Sequence, residues 1–293
     1  MVVSACERPQ PSASALPQVV ATSTIIADLA GEIAQDEVEL VGILPPGDDP
    51  HVYEPLPDDI KAIETADLIL YNGYNLEPAL IRLTEAAPDS VQKLAVGERV
   101  KPLDKAANQK QPDPHVWGDI ENAIAMVDAI REALITLSPE DEAEFTANAE
   151  QFTAQLVELD RWISQQVATI PSENQKLVTT HDAFQYYTTA YGLEMLGTLI
   201  GISTEEQPSV QTVQGLVEAI RAAGIPAIFA ETTINPQLIR TVAEEANVEL
   251  APQELYSDSI GAPGSPGDSY LKMMVSNTES IVTSLGGSVT PFK

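Results

Sequence analysis

One uninterrupted helical pattern in the middle of the chain constrains the fold more than any other feature. After Ser138 and Pro139, which predict a capped helix start, apolar side chains recur at spacings of three, four and seven residues until Pro171 ends the pattern. A helix over 138–170 would contain about thirty residues and, at ~1.5 Å per residue, would be roughly 45 Å long. Because a rod of that length is longer than one small domain is wide, we expect it to connect two domains.

Short apolar runs alternate with helical patterns on both sides of this segment. Runs at 68–71 and 176–180 predict buried strands, and each is followed by a helical pattern, which begins at His181 after the second of them. The spacing also predicts a helix over 210–223. Strands that alternate with helices predict a parallel sheet with helices packed on its faces. The sequence therefore predicts an α/β protein with an N-terminal lobe over 19–137, a long linking helix over 138–170 and a C-terminal lobe over 171–293.

Composition excludes several classes of protein. The chain has 293 residues, of which 44% are hydrophobic and 20% charged, so it can bury a core and is not disordered throughout. Its net charge of −29 would repel nucleic-acid phosphates, so we expect no nucleic-acid partner. The sequence contains no run of eighteen apolar residues, and no segment of it is predicted to span a bilayer. A single cysteine, Cys6, excludes an internal disulfide and a thiolate zinc cluster.

The three histidines occupy similar positions in the predicted fold. His51 and His181 each follow a predicted strand, one in each lobe, and His115 lies in a loop that could reach the same cleft. In open parallel sheets, ligands bind beyond the carboxyl ends of the strands. A lone histidine at such a position is more typical of a cap or a buried hydrogen bond. Because all three histidines of the chain fall in loops, a shared metal site is the alternative interpretation.

A fourth ligand for such a site should be an acidic side chain at a strand end in the second lobe. Glu231 follows the predicted strand over 227–230, and Asp258 lies just past the last predicted strand. Either carboxylate could also be a helix cap, and the chain contains 44 acidic residues from which to choose. The sequence pattern alone leaves Glu231 and Asp258 both open.

The first residues resemble the end of a bacterial lipoprotein signal. Val3-Ser4-Ala5-Cys6 has an aliphatic residue and two small residues before the cysteine that would carry the lipid, although the charged and apolar parts of a full signal are missing. The residues up to position 18 are rich in Pro, Ser and Ala, which is typical of a flexible spacer. We expect 1–18 to be a signal remnant and tether; the alternative is a stray cysteine in a tail.

Eight short blocks occur in a fixed order along the chain. They are GDDPHVYEP, ADLILYNGYNLE, DPHVW, THDAFQYYTTAYGL, GISTEEQPS, IPAIFAETTINP, LYSDSIGAPG and GDSYLKMM. In these blocks the chain resembles the zinc- and manganese-binding solute-binding lipoproteins of bacterial ABC uptake systems (cluster A-I, periplasmic solute-binding family 9), over essentially 19–285. The resemblance implies two lobes, each a parallel sheet flanked by helices, joined by one long rigid helix, with a metal site in the cleft between them.

The resemblance also implies the ligands, motif by motif. It places them at His51 in DPHVYEP, His115 in DPHVW, His181 in THDAF and Asp258 in LYSDSI. FAETT matches a family signature at Glu231, which we interpret as a residue that supports a ligand or the structure.

The identity of the metal is left open by the residue types. Three imidazoles and one carboxylate suit four-coordinate Zn²⁺, whereas a carboxylate that binds through both oxygens makes the site five-coordinate and suits Mn²⁺ as well. Fe²⁺ is the third candidate. The segment over 105–112 (KAANQKQP) lacks the long His- and acid-rich loop of members dedicated to zinc, and many manganese members have glutamate in place of His181. Gly118-Asp119-Ile120 also departs from the usual Leu-Asp-Pro after DPHVW, which affects a helix start rather than a ligand.

The function implied is extracytoplasmic metal capture rather than catalysis. The chain would bind one divalent ion and deliver it to the membrane permease of an ABC transporter, as a monomer held at the membrane by a lipid on Cys6. One alternative is a hydrolase with a three-histidine zinc site, which needs an open coordination position that Asp258 would fill. Another is an adhesion or structural lipoprotein with an incidental metal site.

Overall fold

The structure is a computed structural model that describes residues 16–103 and 112–293. The signal-like residues with Cys6, most of the predicted tether, and 105–111 of the segment before the second histidine lie outside the described residues. Within them the chain forms two lobes, each built on parallel strands flanked by helices, and a long helix connects the lobes in sequence. This is the predicted α/β architecture.

The first lobe contains a four-stranded parallel sheet. Its strands are β1 (Gln18–Ala21), β2 (Glu39–Gly42), β3 (Leu68–Tyr71) and β4 (Gln92–Ala95), and its helices are α1 (Thr24–Ala34), α2 (Pro57–Thr65) and α3 (Pro78–Ala86). The strand order is β2-β1-β3-β4. Because the chain leaves the central strand β1 toward β2 and then crosses back to β3, the order of strands reverses between β1 and β3. That switch point is where ligands of such sheets bind.

Two consecutive helices follow the first sheet and pack against each other as an antiparallel pair. They are α4 (Ile120–Leu137) and α5 (Glu142–Val167). Pro139–Asp141 form a short 3₁₀ turn between them, so α5 begins later than the predicted start at 138 and ends before 170. Its 26 residues correspond to a rod of about 39 Å. The buried side chains of α5 lie on one stripe, which includes Phe145, Phe152, Leu159 and Ile163; the stripe that predicted the helix is the face it buries.

The second lobe contains two pairs of parallel strands, which a backbone hydrogen bond links. Its strands are β5 (Lys176–Thr179), β6 (Glu194–Thr198), β7 (Ala227–Ile228) and β8 (Glu249–Leu250), and its helices are α6 (Gln185–Tyr191), α7 (Val210–Ala223), α8 (Gln237–Ala246) and α9 (Tyr270–Ser284). β5 pairs with β6 and β7 with β8. The Phe229 amide donates to the Val178 carbonyl (2.9 Å), which connects the two pairs.

Sequence analysis predicted a helix from His181 onward, but α6 begins only at Gln185. The backbone of the intervening residues forms other hydrogen bonds: the Asp182 amide donates to Gly201 O (3.3 Å) and the Thr179 hydroxyl donates to His181 O (2.8 Å). These bonds leave the backbone around His181 in a bend rather than in a helical turn.

One hydrophobic core runs through both lobes. It contains Leu70 from the first sheet, Phe152 and Leu159 from α5, and Phe229 and Leu255 from the second sheet, all 0–2% exposed. Because side chains of both lobes pack in the same cluster, separating the lobes would expose apolar surface to water. The boundaries at 137/138 and 170/171 between lobes and linking helix stay a prediction.

A search of the described residues for membrane-spanning helices found none with the necessary length and apolar character.

Candidate metal centre

Four side chains converge at the carboxyl ends of the two sheets. His51 lies in the loop after β2, His115 in the loop before α4, His181 directly after β5, and Asp258 beyond β8. One ligand atom from each can be chosen so that all four lie within 4.8 Å of one another. The loops that follow strands of both lobes thus meet at one point between them, as the position of the histidines predicted.

The distances within this group fit coordination of a single ion. His51 Nε2 lies 3.2 Å from His115 Nε2, and His115 Nε2 lies 3.2 Å from Asp258 Oδ1. His181 Nε2 lies 3.2 Å from Asp258 Oδ2. In a tetrahedral site with metal–ligand bonds of 2.0–2.1 Å, neighbouring ligand atoms are about 3.3 Å apart. The contacts of His115 with His51 and with Asp258 Oδ1 match two edges of such a tetrahedron. His181 lies at the same distance from the other oxygen of Asp258, so both carboxylate oxygens face the centre of the group.

Burial and hydrogen bonding also indicate a ligand at this point. The three histidines are 0–3% exposed and Asp258 is 0% exposed. His181 Nε2 and Asp258 Oδ1 are buried without a hydrogen-bond partner, although each lies close to another member of the group. Because a buried polar atom without a partner costs free energy, such atoms require an explanation. A cation placed among the four residues would satisfy both atoms.

His115 is oriented by a carboxylate on the far side of its ring. Asp113 Oδ1 lies 2.7 Å from His115 Nδ1 and also accepts a hydrogen bond from the His115 backbone amide (3.0 Å). This contact places the proton of the neutral ring on Nδ1 and leaves Nε2 free to bind a metal. The Asn72 side chain donates to Pro114 O (3.0 Å) and so fixes the same loop to the end of β3.

Glu231 orients the ring of His181 in the same way. One carboxylate oxygen contacts His181 Nδ1, and the other accepts a hydrogen bond from the His181 backbone amide (2.8 Å). Glu231 itself is 1% exposed and pairs with Leu255 in an isolated parallel bridge. Its carboxylate therefore lies behind the ring of His181, whereas Asp258 is the acidic residue within the group of four.

His51 is held differently. Asp49 Oδ1 accepts a hydrogen bond from the His51 backbone amide (2.9 Å), in the same Asp-Pro-His arrangement as at His115, but the structure shows no contact between Asp49 and the imidazole ring. Burial, with smaller contributions from His115 and His181, lowers the pKa of His51 to about 3 against the attraction of Asp258. His51 is therefore neutral at neutral pH, which is its metal-binding form.

The other three members of the group carry opposite charges in the metal-free protein, His115 and His181 as protonated rings and Asp258 as a carboxylate. Burial lowers the pKa of His115, but the carboxylates of Asp113 and Asp258 outweigh burial and raise the pKa to about 9. In the same way, Glu231 and Asp258 raise the pKa of His181 well above its usual value. Asp258 is the common partner: burial raises its pKa, yet the two histidines hold it well below its usual range. A divalent ion would take the place of the protons on the two rings.

The structure thus brings together His51, His115, His181 and Asp258, the four residues that were predicted as ligands. Sequence analysis did not identify Asp113 and Asp49 as supporting residues. A signal was present, because the tripeptide Asp-Pro-His occurs at both 49–51 and 113–115. In each copy the aspartate accepts a hydrogen bond from the histidine amide, so the repeat is one local structure used twice.

Comparison with curated proteins shows similarity to metal-transport lipoproteins of bacteria. The manganese ABC transporter substrate-binding lipoprotein PsaA of Streptococcus anginosus is 36% identical over 276 residues, which cover 92% of this chain and 89% of that protein. The manganese-binding lipoprotein MntA of Halalkalibacterium halodurans is 33% identical, with 92% of this chain and 88% of that protein covered.

A solved structure and a family model agree with these similarities. The periplasmic zinc-binding protein TroA of Treponema pallidum superposes with a TM-score of 0.88 and 34% identity, covering 92% of this chain and 99% of that chain. The family model described as the periplasmic component A of the zinc-uptake complex matches residues 19–284. With nearly all of the described chain matched, this protein belongs to the family of the periplasmic A component of zinc-uptake complexes.

Proposed function

We propose that this protein captures one divalent transition-metal ion, Mn²⁺ or Zn²⁺, outside the cytoplasm and delivers it to the membrane permease of an ABC transporter. The observation that carries the proposal is the buried group His51, His115, His181 and Asp258, whose ligand atoms lie within 4.8 Å of one another. Among the relatives, PsaA and MntA are manganese lipoproteins and TroA is a zinc-binding protein. The ligand set accepts both ions, with Fe²⁺ as the third candidate.

The same geometry argues against catalysis. A hydrolytic metal site keeps a coordination position open for water, usually with three protein ligands. Here four protein side chains converge, and each is at most 3% exposed. The cargo would therefore be enclosed rather than presented to a substrate. Zinc-loaded protein should hydrolyse neither ester nor phosphate substrates above the rate of the free ion, and turnover by the loaded protein would revive the hydrolase alternative.

Anchoring and oligomeric state complete the proposal. A lipid on Cys6 would hold the protein at the outer face of the membrane, next to its permease; the names of PsaA and MntA as lipoproteins support this anchor. We propose a monomer, because one chain supplies all four ligands. A full-length precursor should partition into membranes, and its Cys6→Ala variant should not.

Equilibrium dialysis followed by elemental analysis tests the metal site itself. Wild-type protein should bind one Mn²⁺ or Zn²⁺ per chain near neutral pH. Asp258→Ala should lose most of this binding and keep the metal-free fold, because it removes the ligand that contacts both His115 and His181. Asp128→Ala is the matched control, since Asp128 is an exposed acidic residue on α4. A wild-type stoichiometry of zero, or equal loss in both variants, would contradict the proposal.

Transport is tested separately with the permease. Metal-loaded protein should stimulate ATP hydrolysis by the reconstituted permease more than metal-free protein does, because delivery requires recognition of the loaded form. Metal binding without any effect on a permease would support an incidental metal site, which was the prediction of the adhesion or structural alternative.

A further inference from the structure

The loop that carries Asp258 belongs to the second lobe but is held by the first. On one side of Asp258, the Ser257 carbonyl accepts a hydrogen bond from the Trp117 indole (2.9 Å). On the other side, Ser259 Oγ accepts a hydrogen bond from the Gly47 amide (2.8 Å). The loop is therefore attached to the first lobe at both residues that flank the ligand.

Thr24, at the start of α1 in the first lobe, completes this attachment. Its hydroxyl lies 3.1 Å from Ser259 Oγ and accepts a hydrogen bond from the Ile260 amide (3.0 Å). Ser259 Oγ also donates to the Ile260 carbonyl (3.2 Å), so the hydroxyl of Thr24 is free to donate to Ser259. Thr24 and Ser259 are 5% and 0% exposed. A buried network of this kind is stable only while all of its members are in place.

The loop that carries His51 shows the reverse relationship. Asp49, whose Oδ1 holds the His51 amide, accepts a second hydrogen bond at Oδ2 from the Thr204 hydroxyl (2.6 Å). Thr204 lies in the loop between β6 and α7 of the second lobe. A ligand from the first lobe is thus positioned through a side chain of the second lobe, and a ligand from the second lobe through a side chain of the first.

We infer that Thr24 and Thr204 are positioning residues that retain the metal, because each fixes a ligand of the opposite lobe and both contacts exist only while the lobes are together. This inference rests on the proposed function. The two threonines contact no ligand ring or carboxylate of the four, so they act through Ser259 and Asp49. Their loss should shorten the residence time of the ion more than it slows its capture, because changes at one binding site act mostly on the dissociation rate constant.

Stopped-flow measurement of Mn²⁺ release into excess EDTA tests the inference. Thr24→Val and Thr204→Val keep the shape of the side chain and remove the hydroxyl. Each should release Mn²⁺ on the order of tenfold faster than wild type, because a partner is left without its hydrogen bond. The association rate constant should change little. The metal-free variants should stay folded at the assay temperature, with melting temperatures lowered by only a few degrees. Thr24→Ser and Thr204→Ser restore the hydroxyl and should restore slow release.

Thr212→Val is the matched control, since Thr212 is an exposed threonine on α7 in the same lobe as Thr204. Release at the wild-type rate from both valine variants, or equally fast release from the serine variants, would overturn the inference while leaving the proposed function intact. Failure of wild-type protein to bind Mn²⁺ or Zn²⁺ would instead contradict the proposed function and the inference together. If a valine variant loses its metal-free fold, Thr24→Ala or Thr204→Ala takes its place, because alanine also removes the hydroxyl and should release Mn²⁺ faster than the serine variant.

Discussion

Asp113 Oδ1 contacts both the backbone amide and the Nδ1 atom of His115, at 3.0 and 2.7 Å. One carboxylate therefore fixes the loop, the ring orientation and the tautomer of a proposed metal ligand. Carboxylates in this position also increase the basicity of the ligating nitrogen, and their loss lowers metal affinity by about 10- to 100-fold.

The first prediction follows directly: Asp113→Asn should reduce Mn²⁺ and Zn²⁺ affinity by about 10- to 100-fold without unfolding the protein. Asp182→Asn is the control, because Asp182 lies near both His115 and His181 but bonds to Gln185 instead of a ring. Competition titration against a chelating dye would measure both. A similar loss in the two variants would show that negative charge near the site matters, and orientation of His115 does not.

Glu231 should be as important for affinity as Asp113. Because its carboxylate contacts Nδ1 and the backbone amide of His181, Glu231→Gln should weaken metal binding by about 10- to 100-fold. Sequence analysis alone assigned Glu231 a supporting role, and the contact with His181 specifies that role. Glu244→Gln, at an exposed position of α8, is the control. Isothermal titration calorimetry would contradict the prediction if Glu231→Gln changed only the melting temperature.

Metal binding should release protons at neutral pH. In the metal-free protein the pKa of His115 is raised to about 9 and that of His181 is raised well above its usual value, so both rings carry a proton that the ion must displace. Affinity should therefore rise as the pH increases from 6 through about 9, instead of levelling off just above the ordinary histidine pKa of about 6.5. Calorimetry in buffers of different ionisation enthalpy counts the protons. Zero release at pH 7 would be incompatible with protonated rings.

Glu77 links stability to pH at a position away from the ligands. Its Oε1 accepts hydrogen bonds from the Asn72 amide and the Thr22 hydroxyl, whereas its Oε2 is buried without a partner. Burial raises the pKa of Glu77 from 4.5 to about 7. A raised carboxyl pKa means that the folded state binds the proton more tightly than the unfolded state. Proton binding by Glu77 therefore contributes to the free energy of unfolding below about pH 4.5, and this contribution is lost as the pH rises to about 7.

Glu77→Gln should therefore gain stability relative to wild type between pH 5 and pH 8, by up to about 3 kcal/mol, because it cannot ionise. Urea denaturation of the metal-free proteins at several pH values would measure the difference. Glu64→Gln, at an exposed position of α2, should show no such pH dependence. A difference between Glu77→Gln and wild type that is constant with pH would indicate a packing effect rather than a titration.

Metal binding should change the shape of the protein only slightly. Bending α5 would break backbone hydrogen bonds, and separating the lobes would expose core residues such as Phe152 and Phe229. Small-angle scattering should give nearly the same radius of gyration with and without Mn²⁺, and hydrogen exchange should slow in the loops that carry His115, His181 and Asp258. Metal-free Asp258→Ala protein supplies the reference for both measurements. A large fall in the radius of gyration on loading would contradict a fixed linking helix.

Regular elements were predictable because their stabilising interactions are local. Helix α7 spans Val210–Ala223, the same residues that its periodic apolar pattern predicted, and Ser209 caps it as its residue type suggests. For the proposed ligands, loop position alone indicated the three histidines and left Asp258 and Glu231 both open, whereas the motifs of the family resemblance indicated all four. Each of the four residues lies in a loop whose short motif can be recognised in the sequence.

Other features depend on contacts between segments that are distant in the sequence, and local sequence patterns do not predict them. The strand predicted over 227–230 pairs with β8 only at Ala227–Ile228, because beyond it the backbone of 229–231 bonds to β5 and to Leu255. Likewise Asp49 and Thr204 are 155 positions apart, and nothing near either residue indicates the other. The packing of the two lobes determines the interactions across the cleft, and the local spacing of residues does not predict that packing.

The shared core has a consequence for how the protein folds. Side chains such as Leu70 and Leu255 belong to different sheets but to one apolar cluster with the stripe of α5. Because neither lobe can bury its own half of that cluster without the other, we expect the chain to unfold as a single cooperative unit. The last helix, α9, also packs on α5 and α1, which brings residues from both ends of the described chain into that unit. A partly synthesised chain therefore lacks the surfaces it needs to complete its core, and folding to the native state must await the C-terminal residues.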